Sequence, residues 1–481
     1  MKHDFFKTPV FYSFVSALLS CLIVYVFELT HFTLSIDEEF QDNFFQTIML
    51  GRWGDALIKA NLLSGPYSPG FTALFGLITL SCAFASTASI LKLSRFQGVI
   101  FSILAVSVPQ YAYQLEFMNQ ADTVGTAFLL SAITVYFVTN TSLCGRYIYA
   151  CMTYTIAISI YQSLATLPVT IVMGFVISST LREESNIKES LILMIKFAVL
   201  SLCAFSMYTI ISLFFSKYYN ISGVGYLSSS INWGKMPLHA VFNQMKKFIV
   251  PYFTFRTFYG LNSYPFVILA FILMLWRAQY KFFMVFMGIC LIVSPFIFMF
   301  VSGGFQPPRV VTSLSFSFAI IFILALRNFK SRWISTITAM AFLIAGATSS
   351  NKLFYSDYIA EQHDLMLSNR MISDIYRNFP DFSTTKNDVY FYGKSAFTNP
   401  WKMPNSDSFG ESHYTWDGGN NRRIIAFMRI TGLIDLTEAR KEDIDRLQDT
   451  AAGMPLWPNE GGIKKVNDII IIKLGENRGI E

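Results

Sequence analysis

Three consecutive carboxylates stand in Ser35-Ile36-Asp37-Glu38-Glu39-Phe40, just after the first apolar run, with Asp42 next and Gly51-Arg52-Trp53-Gly54 shortly beyond. A carboxylate beside a bound hydroxyl can act as a general base, and a guanidinium can grip a phosphate. Ile36, Phe40, Phe44 and Ile48 recur every four residues. That spacing predicts an amphipathic helix in a membrane interface, its apolar stripe downward and its carboxylates at headgroup level. Neighbouring helical side chains point about 100° apart, so three successive carboxylates on it cannot all face one site. The same pattern equally describes a solvated acidic helix start, where negative charge meets the positive end of the dipole.

A second group is Gln110-Tyr111-Ala112-Tyr113-Gln114-Leu115-Glu116-Phe117-Met118-Asn119-Gln120-Ala121-Asp122, which packs amides, phenols and two carboxylates between two apolar runs. Such side chains suit sugar hydroxyls, and they also suit an ordinary polar loop with Asp122 capping the next helix. In Gly303-Gly304-Phe305-Gln306-Pro307-Pro308-Arg309 two prolines stiffen a turn that presents one guanidinium. Arg309 there either grips a phosphate or snorkels to lipid headgroups. Lys246, Lys247 and Arg256, interleaved with Tyr252, Phe253 and Phe255, fit an anionic lipid or a plain interface anchor. Trp401, His413, Trp416 and Asp417 offer aromatic faces and a carboxylate to a carbohydrate, unless the tryptophans are core.

The elements that must position these groups are membrane spans. Hydrophobic residues make up 53% of the 481 residues and charged ones 14%, against about 25% charged in soluble domains. The excess falls into about eleven runs long enough to cross a hydrocarbon core: 9–29, 70–91, 97–113, 123–139, 147–163, 164–180, 191–215, 263–276, 282–301, 311–326 and 333–350. The first run is too long for a signal peptide and no small-residue cleavage site follows, so it reads as a retained span. Alternate short loops collect Lys2, Lys7, Lys92, Arg95, Arg146, Arg182, Lys188, Arg277, Lys281, Arg327, Lys330 and Arg332, which by the positive-inside rule marks the cytoplasm. The N-terminus is then cytoplasmic, and 30–69, 216–262 and everything after 350 face outward. One long bent helix through Tyr161 and Gln162 would reverse every later side.

The division expected is a transmembrane part, 1–350, with outward loops 30–69 and 216–262, and an outward C-terminal domain, 351–481. The tail begins with helical spacing over 355–376 and continues with strand-like runs at 389–392 and 469–474, separated by turns such as Trp416-Asp417-Gly418-Gly419-Asn420, which reads as a small mixed α and β domain. The charge of +6 is scattered rather than gathered in a stripe, which argues against nucleic acid. All six cysteines lie in or beside apolar runs, so disulfides and thiolate-bound zinc are not expected. A Walker A sequence, a Gly-x-Ser-x-Gly elbow and a His-Glu-x-x-His pair are missing, and few charges fall in mid-span, which counts against an ATP-driven pump, a hydrolase and a proton-coupled carrier.

The order and spacing of Ser35-Ile36-Asp37-Glu38-Glu39, Gly51-Arg52-Trp53, Tyr113-Gln114-Leu115-Glu116, Asn119-Gln120-Ala121-Asp122 and Pro307-Pro308-Arg309 resemble those of the phage-encoded, serotype-converting O-antigen glucosyltransferases, type II of Shigella-like bacteria. The tail matches that pattern little. The resemblance implies a polytopic inner-membrane enzyme of the GT-C-like class that moves glucose from undecaprenyl-phosphate glucose to a sugar of the lipopolysaccharide O-antigen on the periplasmic face. It implies a base among Asp37, Glu38 and Glu39, and a donor phosphate held by Arg309 and Arg52. Tyr113, Glu116, Asn119, Gln120, Asp122, Tyr161 and Gln162 are then the substrate-binding residues. A lipid monophosphate can be managed by arginines, so no cofactor and no obligatory metal is expected. An O-antigen polymerase and a lipid-linked sugar flippase are the competing readings.

Overall fold

The computed structural model describes residues 5–41, 43–63, 65, 67–221, 231–255, 263–276, 278–304 and 306–479. Asp42 and Arg256 lie outside the described residues, as does Phe305 of the glycine- and proline-rich turn. The chain forms two compact units. The first comprises Met1–Phe32, Asp42–Asn351 and Pro404–Asp407; the second comprises Thr33–Gln41, Lys352–Met403 and Ser408–Glu481.

Helices dominate the first unit. Among the described residues six are long and apolar enough to cross a membrane: Phe71–Ile90, Met118–Thr139, Gln162–Leu181, Ile187–Tyr218, Lys281–Ser302 and Arg332–Asn378. Pro9–Val24, Arg95–Ser107, Phe266–Leu275 and Leu314–Leu326 are apolar but shorter, and Arg146–Ile160 has 15 residues. Helices of this kind mark a chain associated with a membrane, and by length alone six crossings stand where eleven were expected. Local sequence sets several of the starts. Ser94 with Gln97, and Asn186 with Glu189, form reciprocal capping boxes that satisfy the first backbone N–H groups of their helices.

Leu314–Leu326 is buried along its whole length, as expected of a helix that is apolar on every side. Phe316 packs on Phe84 and Phe128, with ring centroids 4.7 and 6.0 Å away. Ile187–Tyr218 is the opposite case. Ile195, Leu202 and Ile210 are all more than 60% exposed, an arrangement suited to lipid and costly in water. At Tyr161 the backbone turns extended, and the Tyr154 hydroxyl donates to the Ala165 carbonyl at 2.6 Å. A straight helix would hold those residues about 16 Å apart, so the helix is interrupted there, between Arg146–Ile160 and Thr166–Leu181.

In the second unit four strands, β1 (Asp388–Tyr392), β2 (Thr437–Glu438), β3 (Ile463–Val466) and β4 (Ile469–Lys473), form a sheet in the order β2-β1-β4-β3. β1 is parallel to β2 and β4, with Val389 opposite Ile470, while β3 and β4 are antiparallel. Asn467, at φ 53°, makes the tight turn between the last two. Tyr390, Tyr392, Ile469 and Ile471 bury one face of the sheet with Ile444, Leu447 and Ala451 of the Lys441–Ala452 helix. On the 421–430 side, the Asn421 side chain accepts the Phe391 N–H and so ties that helix to β1.

Residues 355–376 are helical as expected, as part of Arg332–Asn378, one helix that runs through position 351. Hydropathy falls there, and the hydrogen-bond ladder does not. The amphipathic helix through Ile36, Phe40, Phe44 and Ile48 does not form: 36–39 are turns, Asp37 has φ 79°, and helix begins only at Phe44–Met49. Ile36 is buried in a turn and Ile48 in that later helix, so no continuous stripe exists.

Phe71–Ile90 and Ala121–Thr139 meet backbone to backbone. A Cβ on Gly125 would lie 2.6 Å from the Gly76 carbonyl oxygen, and one on Gly76 would lie 2.7 Å from that of Ala121. Small residues are what permit such an approach between apolar helices. Gly125→Leu should therefore destabilise the protein by about 1–3 kcal/mol, read as a lowered unfolding temperature and a smaller monodisperse fraction in detergent.

Candidate functional site

In the first unit the stretch from Gln110 to Asp122 organises two arginines. It is no solvated loop: Gln110, Gln114, Glu116, Gln120 and Asp122 are each at most 8% exposed, and a buried amide must find hydrogen bonds within the protein. Gln110 and Gln114 find them by donating their side-chain amides to the carbonyls of Pro308 and Arg309, the latter at 2.5 Å. That fixes the Pro308–Val310 turn and lays the Arg309 guanidinium over the Phe117 ring, 4.9 Å from its centroid. Arg309 also pairs with Asp407, Nη1 to Oδ2, at 3.1 Å.

Three residues after Phe117, the Gln120 side chain accepts from Arg52 Nη1 at 3.0 Å. The guanidinium lies over the Tyr161 ring, 4.5 Å from its centroid. Gln162 donates to the Leu50 carbonyl at 2.7 Å and to the Tyr208 hydroxyl at 3.0 Å, which fastens the helix break at 161–162 to the turn before Arg52. Gly51 takes φ 76° in that turn, and a Cβ there would strike the Tyr208 hydroxyl. Behind Arg52, Lys59 binds Asp122 at 2.7 Å, and Asp55 accepts from Thr123 Oγ1 at 2.5 Å. Burial pushes the Asp55 carboxyl up to about 6, against the Thr123 hydrogen bond and the charges of Lys59 and Arg52. Tyr113 and Glu116 are buried in the same stretch, and Asn119 is half-buried.

The three consecutive carboxylates belong to the second unit and have separate fates. Glu38 is fully buried, and its Oε2 accepts the Ser35 N–H at 2.9 Å, closing its own turn. Asp37 and Glu39 both reach Arg423. Nη2 meets Asp37 Oδ1 at 2.7 Å, Nη1 meets Glu39 Oε1, and Nε meets Asp417 Oδ2 at 2.7 Å. As expected the three carboxylates do not share one site, but the segment is a turn and not a helix, and its left-handed Asp37 lets residues two apart meet one guanidinium. Asp417 is left-handed as well, at φ 51°, followed by Gly418 and Gly419 at 75° and 89°. The charges on Glu39 and Asp37 and the hydrogen bond to Asp417 outweigh the effect of burial and raise the pKa of Arg423.

His413 is 2% exposed, with Nδ1 3.4 Å from Asp364 Oδ2 and Nε2 3.6 Å from Glu39 Oε2. Both ring nitrogens face carboxylates, whose negative charge favours the imidazolium. Burial alone disfavours that cation, but the hydrogen bonds and charges of Asp364 and Glu39 prevail and push its pKa up to about 9. Burial would likewise raise Glu39, which His413 and Arg423 instead hold below its ordinary value. His413 is thus enclosed between two carboxylates and is not presented to a sugar. Trp401 is 45% exposed and so is not core. Lys246 and Lys247 are exposed on Leu238–Ile249.

Asp55, Lys59, Asp364, Asp407 and Arg423 were not singled out from the sequence. Asp55 and Lys59 carried a faint signal as opposite charges at i and i+4 on one helix. The others carried none, because the partners that give them their setting, Arg309 for Asp407, His413 for Asp364 and the 37–39 turn for Arg423, lie far away along the chain.

Residues 26–314 match the model of the family described as Glucosyl transferase GtrII. No curated protein and no solved structure matches the chain. The matched stretch contains Asp37, Glu38, Glu39, Arg52, the 110–122 stretch, Tyr161, Gln162 and Arg309, while Asp407, His413, Asp417 and Arg423 lie beyond it.

The raised pKa of His413 makes stability depend on pH. Its stabilisation is complete below about 6.5, the ordinary histidine value, and is lost as pH rises through about 9. The amount at stake is on the order of 3 kcal/mol. Hydrogen exchange of the 412–428 amides in the full-length protein should accelerate across that window beyond the intrinsic rise, and His413→Gln should remove the excess pH dependence.

Proposed function

The chain belongs to the GtrII glucosyltransferase family, and from that membership we propose that it transfers glucose from undecaprenyl-phosphate glucose to a hydroxyl of the O-antigen on the periplasmic face of the inner membrane. The observation that carries the choice of donor is the pair of guanidiniums, Arg52 and Arg309, gripped by one buried stretch at Gln120 and Phe117. Two preorganised cations beside apolar helices suit the phosphate of a lipid-linked sugar, whose charge grows as it leaves. In this reading the N-terminus is cytoplasmic and the C-terminal unit is periplasmic.

Asp37 is the base in this mechanism. Glu38 is spent on its own turn and Glu39 is enclosed by Arg423 and His413, whereas the Asp37 side chain is 49% exposed. Its Oδ1 is anchored on Arg423, which leaves Oδ2 to accept a proton. The acceptor oxygen attacks the anomeric carbon, a glycosidic C–O bond forms and the bond to the phosphate oxygen breaks. The hydroxyl proton passes to Asp37 and the electron pair leaves with the lipid phosphate. Gln120, Asp122, Tyr161, Gln162, Tyr113, Glu116 and Asn119 shape the first-unit site, by direct contact or by holding Arg52 and its turn.

The test is a detergent assay with synthetic undecaprenyl-phosphate glucose and purified O-antigen. Asp37→Asn should lower kcat at least about 100-fold with insertion and yield unchanged, and Arg52→Ala should lower kcat/KM for the donor about 100-fold. Full activity in Asp37→Asn would remove the base from this segment. No transfer by folded wild type would favour a flippase, and products lengthened by whole repeat units a polymerase.

A further inference from the structure

Arg309 is already occupied by a carboxylate, and that carboxylate has an unusual setting. Asp407 belongs to a four-residue strap, Pro404–Asp407, that is part of the first unit although the chain on either side of it belongs to the second. Within the strap both Asn405 and Asp407 have φ 57°, a left-handed conformation that Asn and Asp adopt more readily than other non-glycine residues. Ser406 between them is fully buried, and the Asp407 side chain is only 10% exposed where it meets Arg309 Nη1.

Asp407 is not the only group that holds Arg309. Its backbone is fixed through the Gln110 and Gln114 amides, and its guanidinium lies on Phe117. Asp407 therefore supplies charge where positioning is already provided. A carboxylate and a phosphate compete for the same donors of a guanidinium, and both anions beside one cation repel each other. We propose that Asp407 is the residue that sets affinity for the lipid phosphate: it competes with the donor's phosphate for Arg309, keeping binding of donor and of spent carrier lipid weaker than the bare arginine would give. This rests on the assignment of Arg309 to the phosphate in the proposed function. It adds a residue beyond the family match, and with it an effect of opposite sign to that of a supporting partner.

The experiment measures equilibrium binding of undecaprenyl phosphate to the purified full-length protein in detergent, for wild type, Asp407→Asn, Arg309→Ala and the double variant, together with the donor KM. Asp407→Asn should tighten binding three- to ten-fold and lower the donor KM by a similar factor, and the gain should vanish in the Arg309→Ala background, as coupling through that arginine requires. Unchanged or weaker binding in Asp407→Asn, with Arg309→Ala still weakening it, overturns the competitor role and leaves Asp407 as a support. No effect of Arg309→Ala overturns the phosphate assignment itself. If Asp407→Asn is not recovered as monodisperse protein, Asp407→Ser carries the same comparison.

Discussion

A charge buried in an apolar protein must be paired, since taking an unpartnered ion out of water costs several kcal/mol or more. In a chain with so few charged residues that requirement decides most of the polar geometry. Arg52 lies on Tyr161 and Gln120, Arg309 on Phe117 and Asp407, and Lys59 on Asp122. Each pairing joins segments remote in sequence, so the polar groups act as staples among helices whose apolar surfaces have little preference of their own. The Gln110–Asp122 stretch is central because it is polar and buried together. Its amides have no water to turn to, and the backbone carbonyls of the Pro308–Arg309 turn satisfy them.

The second unit applies the same rule with the charges reversed in number. Carboxylates outnumber cations around Arg423 and His413, so each cation is shared. Arg423 uses all three of its nitrogens on three different acidic residues, and His413 divides its two nitrogens between Asp364 and Glu39. A planar guanidinium can hold that many fixed partners where an ammonium would offer one point charge. The left-handed backbone at Asp37 and Asp417 is the local cost of aiming two carboxylates at one plane.

What could be read from the sequence was local. Apolar runs became helices, 389–392 and 469–474 became strands β1 and β4, and the glycine-rich Trp416–Asn420 segment became a left-handed turn, because each signal lies within a few residues. The missed features depend on distant partners. Period-four apolar spacing from Ile36 to Ile48 argued for a helix, yet the bond from Asp37 to Arg423 selects a turn, and nothing near position 37 announces residue 423. The single guanidinium at Arg309 was visible in the sequence, whereas Asp407 was not, since its strap has no pattern to distinguish it from any polar loop. Hydropathy located a change of surroundings near 350 and said nothing about the helix continuing through it.

The acidic turn has a consequence for how the protein is made. Glu39 and its partner Arg423 are 384 positions apart. At synthesis rates of about 5–20 residues per second, the turn waits roughly 20–80 s for the guanidinium that pairs its carboxylates. Throughout that interval most of the first unit is being synthesised while Asp37 and Glu39 lack the guanidinium they meet in the finished protein. The carboxylates thus acquire their arrangement only in the closing stage of translation, and a chain halted before the tail carries the acidic segment without its geometry.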